Sequence, residues 1–125
     1  LLPTKSQWQL VGDYDGSYVY GFGQELSNAA NYYQDEYANP LCLTSYPYTS
    51  SVDCYPEYGY GLCDMGGNVW EWTQSCIQQD GEVYNVICGG SWCTTEDTCK
   101  ISNPSYCDPN QTFSSIGFRV ICFGL

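Results

Sequence analysis

The chain has 125 residues with fourteen acidic against three basic side chains, no histidine, and a net charge of −11. That charge repels nucleic-acid phosphates and anionic lipid headgroups, so neither nucleic acid nor a membrane surface is an expected partner. No apolar run approaches the length of a bilayer span, and the size suits one domain, residues 1–125.

The first predicted element is a helix. Pro3 is followed by Thr4-Lys5-Ser6-Gln7, the form of a capping box in which Thr4 accepts from a backbone N–H and Gln7 reaches back, and the helix should run to Val11 and end at Gly12. Residues 13–23 are rich in glycine and tyrosine and alternate weakly through Tyr18, Tyr20 and Phe22, which suits a turn leading into an extended piece. Residues 31–58 hold three prolines and show no period, so they read as a loop held by Cys42, Cys54 and tucked aromatics. Loops this long tend to be functional or organised by a metal.

Residues 59–72 read Gly-Tyr-Gly-Leu-Cys-Asp-Met-Gly-Gly-Asn-Val-Trp-Glu-Trp. Asp64 and Glu71 are hard oxygen donors, while Gly66 and Gly67 permit positive-φ turns that aim carbonyls inward, which is what calcium needs from a loop. Trp70 and Trp72 should anchor that loop to a core. A strand is expected over residues 83–92, with Val86, Ile87 and Cys88 entering Gly89-Gly90, where a bulge or close backbone approach is possible. Residues 93–115 are polar and proline-interrupted, and a second strand follows over residues 116–123. The fold class is therefore α+β, loop-rich, with short twisted antiparallel strands.

Nine cysteines, Cys42, Cys54, Cys63, Cys76, Cys88, Cys93, Cys99, Cys107 and Cys122, form no Cys-x-x-Cys pair and have no histidine beside them. They read as the disulfide set of an extracellular protein, secreted or at the cell surface. An odd count allows at most four internal bridges and leaves one thiol for a free or intermolecular role. Cys42 with Cys54 and Cys93 with Cys99 would close short loops, and Cys88 with Cys122 can join two strands. The N-terminus lacks the charged and apolar regions of a signal peptide, so an already processed, soluble chain is expected. Asn110-Gln111-Thr112 is a glycosylation sequon in a polar loop, which makes Asn110 a candidate glycan site. Thirteen tyrosines against four phenylalanines indicate aromatic surface that keeps one end wet, as recognition interfaces do. Without histidine there is no Ser-His or Cys-His pair, and the carboxylates form no evident acid–base couple, which argues against an enzyme.

The 59–72 stretch resembles the signature of the formylglycine-generating enzyme family, also called sulfatase-modifying factor domains. Three landmarks follow the family's order: Leu2-Pro3-Thr4-Lys5-Ser6-Gln7-Trp8, Gly89-Gly90-Ser91-Trp92 and Ile116-Gly117-Phe118-Arg119-Val120. Tyr20-Gly21-Phe22-Gly23 stands where the family has Tyr-Pro-Trp-Gly. The resemblance implies a C-type-lectin-like fold and a calcium site made by Asp64, Gly67, Val69 and Glu71 through two side chains and two carbonyls. It implies a second calcium site beginning at the Asn31 side chain and Tyr32 carbonyl, with the family's aspartate falling near Thr44 and Asp35 or Glu36 as possible substitutes.

Active members of the family bind copper through two cysteine thiolates after Gly-Gly-Ser. Soft thiolates suit Cu(I). Here the first position falls on Cys99 and the second on Pro104, with Cys107 able to replace it only if the loop shifts. The arginine-rich surroundings are absent, so copper is not expected, and Arg119 is expected to pair with a buried carboxylate. Family domains usually carry a further portion before Leu-Pro-Thr, so this chain is expected to be the C-terminal portion of a domain. Its open side is expected to be covered by an upstream segment or by other copies of itself, through strand donation that can repeat into a fibril. The implied function is a non-catalytic extracellular structural module that self-assembles. Alternatives are a secreted lectin-like domain binding protein or sugar near Gly89–Trp92, and a copper-dependent oxidase that generates formylglycine.

Overall fold

The computed structural model describes residues 1–25, 30–34, 37–38 and 48–124. Helix α1 (Lys5–Gly12) begins where the capping box places it. Thr4 Oγ1 accepts from the Gln7 N–H at 3.1 Å and Gln7 Oε1 accepts from the Thr4 N–H at 2.8 Å, so two otherwise orphaned donors are satisfied reciprocally. Gly12 lies inside the last turn and Asp13 is the C-cap. A Cβ on Gly12 would stand 3.3 Å from Met65 Cε, so the bare backbone lets the helix end lie close on the core.

Two short strands, β1 (Tyr33–Gln34) and β2 (Tyr37–Ala38), pair antiparallel inside the segment expected to be loop. The main sheet has four strands: β3 (Trp70–Gln79), β4 (Glu82–Cys88), β5 (Ser105–Cys107) and β6 (Ile116–Gly117), in the order β5-β4-β3-β6. β3, the longest of them, is absent from the expected elements. It turns into β4 through Asp80 and Gly81 at φ 53° and 81°, a two-residue turn whose twist matches the strands it joins. β4 ends at Cys88 rather than at 92 because Gly89 and Gly90 take φ 98° and 70° and leave the ladder. The irregularity in the ladder lies between Trp72 and Cys76 on β3, not at that glycine pair.

Two expectations about strands are corrected. β6 runs parallel to β3, so the sheet is mixed rather than antiparallel. The predicted strand 116–123 also stops at Gly117, because Arg119 turns toward Glu71 and the chain beyond leaves the ladder.

The core has two parts. Trp8, Met65, Val86, Cys88 and Ile101 pack between α1 and the sheet, while Tyr20, Phe22, Ala30, Tyr32 and Cys99 form the other cluster. The rings of Tyr20 and Phe22 stack at 5.1 Å, and Phe22 and Tyr32 lie parallel at 6.5 Å. Burial of each such aliphatic or thioether side chain contributes about 1.5–3 kcal/mol before ordering entropy is charged against it.

Cys54 is disulfide-bonded, and Cys42, its expected partner, lies outside the described residues. The other seven described cysteines, Cys63, Cys76, Cys88, Cys93, Cys99, Cys107 and Cys122, are free thiols. The expected bridges Cys93–Cys99 and Cys88–Cys122 are therefore not formed. In each pair one thiol is buried in the core and the other is exposed, an arrangement at odds with two sulfurs meeting across one bond. Among the described residues no helix is long and apolar enough to cross a membrane.

Candidate metal centre

Residues 61–68, leading into β3, are bent by four residues in left-handed conformations: Gly61 at φ 82°, Asp64 at 56°, Gly67 at 80° and Asn68 at 65°. Gly67 is required twice over. Its φ disfavours a side chain, and a Cβ there would lie 2.5 Å from the Asn31 carbonyl oxygen. That contact is fastened by the Asn68 N–H donating to the Asn31 carbonyl at 2.7 Å and the Gly67 N–H donating to the Gly89 carbonyl at 2.7 Å. The Asn68 side chain closes the other side, accepting from the Ser50 N–H at 2.9 Å and donating to its carbonyl at 3.2 Å.

Within this frame both carboxylate oxygens of Asp64 are buried and have no hydrogen-bond partner. Burial pushes its carboxyl up to about 6, with the Arg119 guanidinium opposing and the Glu71 charge adding. A buried carboxylate without donors is costly unless a cation meets it. Asp64 therefore fits the expected calcium site.

Glu71 fits it less freely, because its oxygens already have donors. Oε2 accepts from Trp8 Nε1 at 2.6 Å and from Arg119 Nε at 2.7 Å, and Oε1 accepts from Arg119 Nη2 at 2.6 Å. Arg119 Nη2 also donates to the carbonyls of Cys63 and Asp64 at 2.9 and 3.2 Å, tying the bend of the loop to the same ion pair. The expectation that Arg119 pairs with a buried carboxylate thus has its partner in Glu71. A carboxylate has about four lone-pair sites, so Glu71 retains acceptor capacity. Among the described residues no cluster of three or more His, Cys, Asp or Glu side chains could hold a metal ion. A cation at Asp64 would consequently draw most of its ligands from backbone carbonyls, with Gly67 and Val69 the candidates on the same bend, and water completing the shell.

Asn31, the start of the second expected site, is fully buried. Its Nδ2 donates to the Tyr48 carbonyl at 2.7 Å and to Ser50 Oγ at 3.4 Å, while its Oδ1 has no partner. An orphaned amide oxygen also fits a hard cation. Tyr32 follows it into the aromatic core, and the possible further ligands Asp35, Glu36 and Thr44 lie outside the described residues.

The cysteines at the family's copper positions are placed differently from one another. Cys99 closes the 3₁₀ turn Glu96–Cys99 and is wholly buried, with its sulfur 2.9 Å from where a Cβ on Gly90 would stand. Burial pushes its thiol up to about 12, with a bond from Thr98 opposing. Cys107 ends β5, half-buried and in register with Asn85, and burial raises its thiol with Asp108 adding. Copper chemistry needs thiolates, and burial opposes ionisation of Cys99 until a metal displaces its proton. Asn110 lies on an exposed turn, where the Asp108 carboxylate accepts from its N–H at 2.9 Å and from its Nδ2 at 3.1 Å.

Trp8 and Asn68 are the functional-site residues that reading the sequence did not single out. Trp8 stands in the Leu-Pro-Thr landmark and Asn68 inside the Gly-Gly-Asn bend, but neither type announces the partner that it holds.

The Sulfatase-modifying factor enzyme 1-like domain family matches residues 1–122. Among curated proteins the chain is 30% identical to mouse "Inactive C-alpha-formylglycine-generating enzyme 2", over 94% of this chain and 41% of that protein. It is 36% identical to the "Formylglycine-generating enzyme" of Mycobacterium tuberculosis, over 96% of this chain and 50% of that protein. The chain thus spans about half or less of these relatives' length. Among solved structures it superposes on CarF with a TM-score of 0.75 at 24% identity, covering 94% of this chain and 44% of that one. Treponema denticola variable protein 1 gives 0.74 at 24% identity, covering 94% and 45%. At that identity the structural likeness speaks for the fold, an α+β scaffold with a mixed sheet and few helices. From the match over residues 1–122, the chain belongs to the sulfatase-modifying factor enzyme 1-like family.

Proposed function

We propose that this chain is a non-catalytic extracellular module that works by association, with another polypeptide covering one apolar flank, in the simplest case a second copy. The observation that carries this reading is the segment after β6. Phe118 and Val120 are 69% and 65% exposed while Arg119 between them turns inward, and Phe123 is 66% exposed. The 77% exposed Leu1 joins the strip, because its carbonyl accepts from the Ile121 N–H at 2.8 Å. The strip adjoins β6, an edge of the main sheet. A strand edge beside contiguous apolar side chains recruits a further strand or surface.

The second copper position, which falls on Pro104 rather than on a cysteine, supports a role without copper catalysis, and one relative carries "Inactive" in its name. Another relative is named as the enzyme itself, so the oxidase reading keeps a direct test. Calcium at Asp64 is proposed as the brace of the metal-site bend, motivated by the unpartnered carboxylate. An extracellular setting, with a glycan at Asn110 in a eukaryotic host, is motivated by the bridged Cys54 and the exposed sequon.

Sizing over a hundredfold dilution series tests the association. The wild type should shift from a larger species to a monomer on dilution, and Phe118→Asp with Val120→Asp should be monomeric throughout. A monomeric wild type at every concentration would remove the proposal. Copper titration with thiol counting tests the alternative: tight binding of one Cu(I) by Cys99 and Cys107, lost in Cys99→Ala, would make the oxidase reading the better one.

A further inference from the structure

Three tyrosines from two distant segments meet, Tyr18 half-buried against the Trp8 and Met65 cluster and Tyr14 and Tyr60 exposed, and neither the Asp64 centre nor the Phe118 flank uses their rings. Tyr14 and Tyr18 belong to the turn after α1, and Tyr60 to the loop before Asp64. The Tyr14 and Tyr60 rings lie 4.9 Å apart at 71°, and those of Tyr14 and Tyr18 lie 5.4 Å apart at 42°. Tyr60 Oη donates to the Tyr14 carbonyl at 3.2 Å, which ties the segments together.

The backbone is bent to keep this arrangement. Tyr14 sits at φ 64°, a conformation that bulky residues rarely take, and Gly59 opposite it is at φ 56°. A Cβ on Gly59 would stand 3.3 Å from the Tyr14 ring. Burial does not explain the strain, because Tyr60 remains 64% exposed and Tyr14 36%. The positive φ of Tyr14 ends α1, at the position after its C-cap Asp13, and leaves the Tyr14 and Tyr60 rings exposed.

The ring planes and the charge say what kind of ligand. Planes at 42° and 71° offer no flat plate on which a sugar ring could stack across two aromatics, and because rings 4.9 and 5.4 Å apart touch one another, a compact cation would sit on their outward faces rather than between them. The same segments, 13–18 and 57–62, carry Asp13, Asp15 and Glu57 and contain no lysine or arginine. Glu57 Oε2 lies 3.5 Å from the position of a Cβ on Gly61, beside the loop that presents Tyr60.

We propose that Tyr14, Tyr18 and Tyr60 form a receptor for a cationic side chain, lysine or arginine, presented by a basic segment of a partner protein. The ring faces supply the short-range attraction. The carboxylates, within a chain of net charge −11, raise the encounter rate. This proposal stands apart from association through the Phe118 flank and survives if that association fails.

The test is calorimetric titration of the chain with a blocked Gly-Arg-Gly-Arg-Gly peptide at about 0.15 M salt, where charges more than about 8 Å away are largely screened. Tyr60→Leu should weaken binding roughly three- to tenfold, whereas Tyr60→Phe, which keeps the ring face, should stay within about twofold of wild type. Both variants lose the Tyr60 Oη bond to Tyr14, so a thermal scan first compares them with each other, and matched unfolding midpoints assign a difference in binding to the ring face. Glu82→Gln, at the β3–β4 turn, should leave affinity within about twofold, since the attraction is local. Equal binding by Tyr60→Leu and wild type overturns the proposal, as does an equal loss in Glu82→Gln, which would reduce the effect to diffuse charge. Maltotriose binding that is lost in Tyr60→Leu, with no peptide binding, overturns it in favour of a sugar.

Discussion

Glu71 is the residue on which the candidate centre turns: 6% exposed in its side chain, it accepts from both Trp8 and Arg119. Arg119→Met would leave that carboxylate buried without its counter-ion, at a cost of about 3 kcal/mol in a urea unfolding curve. Lys100→Met removes a pair whose side chains are 39% and 73% exposed, and should cost less than about 1 kcal/mol. That Arg119 seeks a buried carboxylate is legible in the sequence, since a lone arginine in an apolar strand motif must be compensated. That the carboxylate is Glu71, with Trp8 as a second donor, depends on contacts 48 and 63 residues apart, which no local pattern reports. The thiols carry a second prediction. Burial pushes Cys88, with Glu71 adding, and Cys99 both up to about 12 from 9.0. Below pH 9 these thiols are neutral folded or unfolded, so they leave stability unchanged. From pH 9 upward the unfolded chain ionises them while the fold holds them neutral, and stability is lost as pH rises toward 12. Cys99→Ala should therefore flatten the fall in unfolding free energy between pH 8.5 and 10.5. Iodoacetamide at neutral pH should mark Cys76, Cys93 and Cys122 in the native protein, but Cys88 and Cys99 only after denaturation.

At the scale of elements, glycines at nearly the same φ have different jobs. Gly81 in the β3–β4 turn is at φ 81° with nothing near its missing side chain, so Gly81→Ala should cost about 1 kcal/mol of backbone strain alone. Gly67 is at φ 80° and a Cβ on it would stand 2.5 Å from the Asn31 carbonyl oxygen, so Gly67→Ala adds a clash that pushes Asn31 off the Asn68 N–H. Its unfolding midpoint in urea should fall at least twice as far, which comparison of the two variants measures. Helix α1 was legible because its signal is local, a capping box followed by one buried face. β3 was not, because two extra residues between Trp72 and Cys76 break its alternation, leaving the Asp80-Gly81 turn as the signal available. The overlong expectation for β6 has the opposite cause: alternating Phe118 and Val120 look like strand, but the inward pull on Arg119 draws the chain from the ladder.

For the whole molecule, composition told more about what approaches than about what is bound. A net charge of −11 favours cations generally, yet the proposal of one at Asp64 rests on a bend in which both carboxylate oxygens lack donors. That combination makes the effect of Asp64→Asn change sign with calcium. In a chelator at neutral pH the variant should be the more stable protein, because it removes a buried charge that burial disfavours and Arg119 only partly offsets. In millimolar calcium the order should reverse, because the wild type gains RT ln(1 + [Ca]/Kd) while the variant forfeits its anionic ligand. Thermal scans of both proteins in each condition check this. Magnesium at the same concentration should give a smaller gain, since it prefers to keep its waters in a strict octahedron whereas calcium accepts irregular shells of oxygen ligands. Parallel shifts of both proteins in calcium would assign the gain to general screening of negative charge, and Asp64 would then have to be explained as an uncompensated burial.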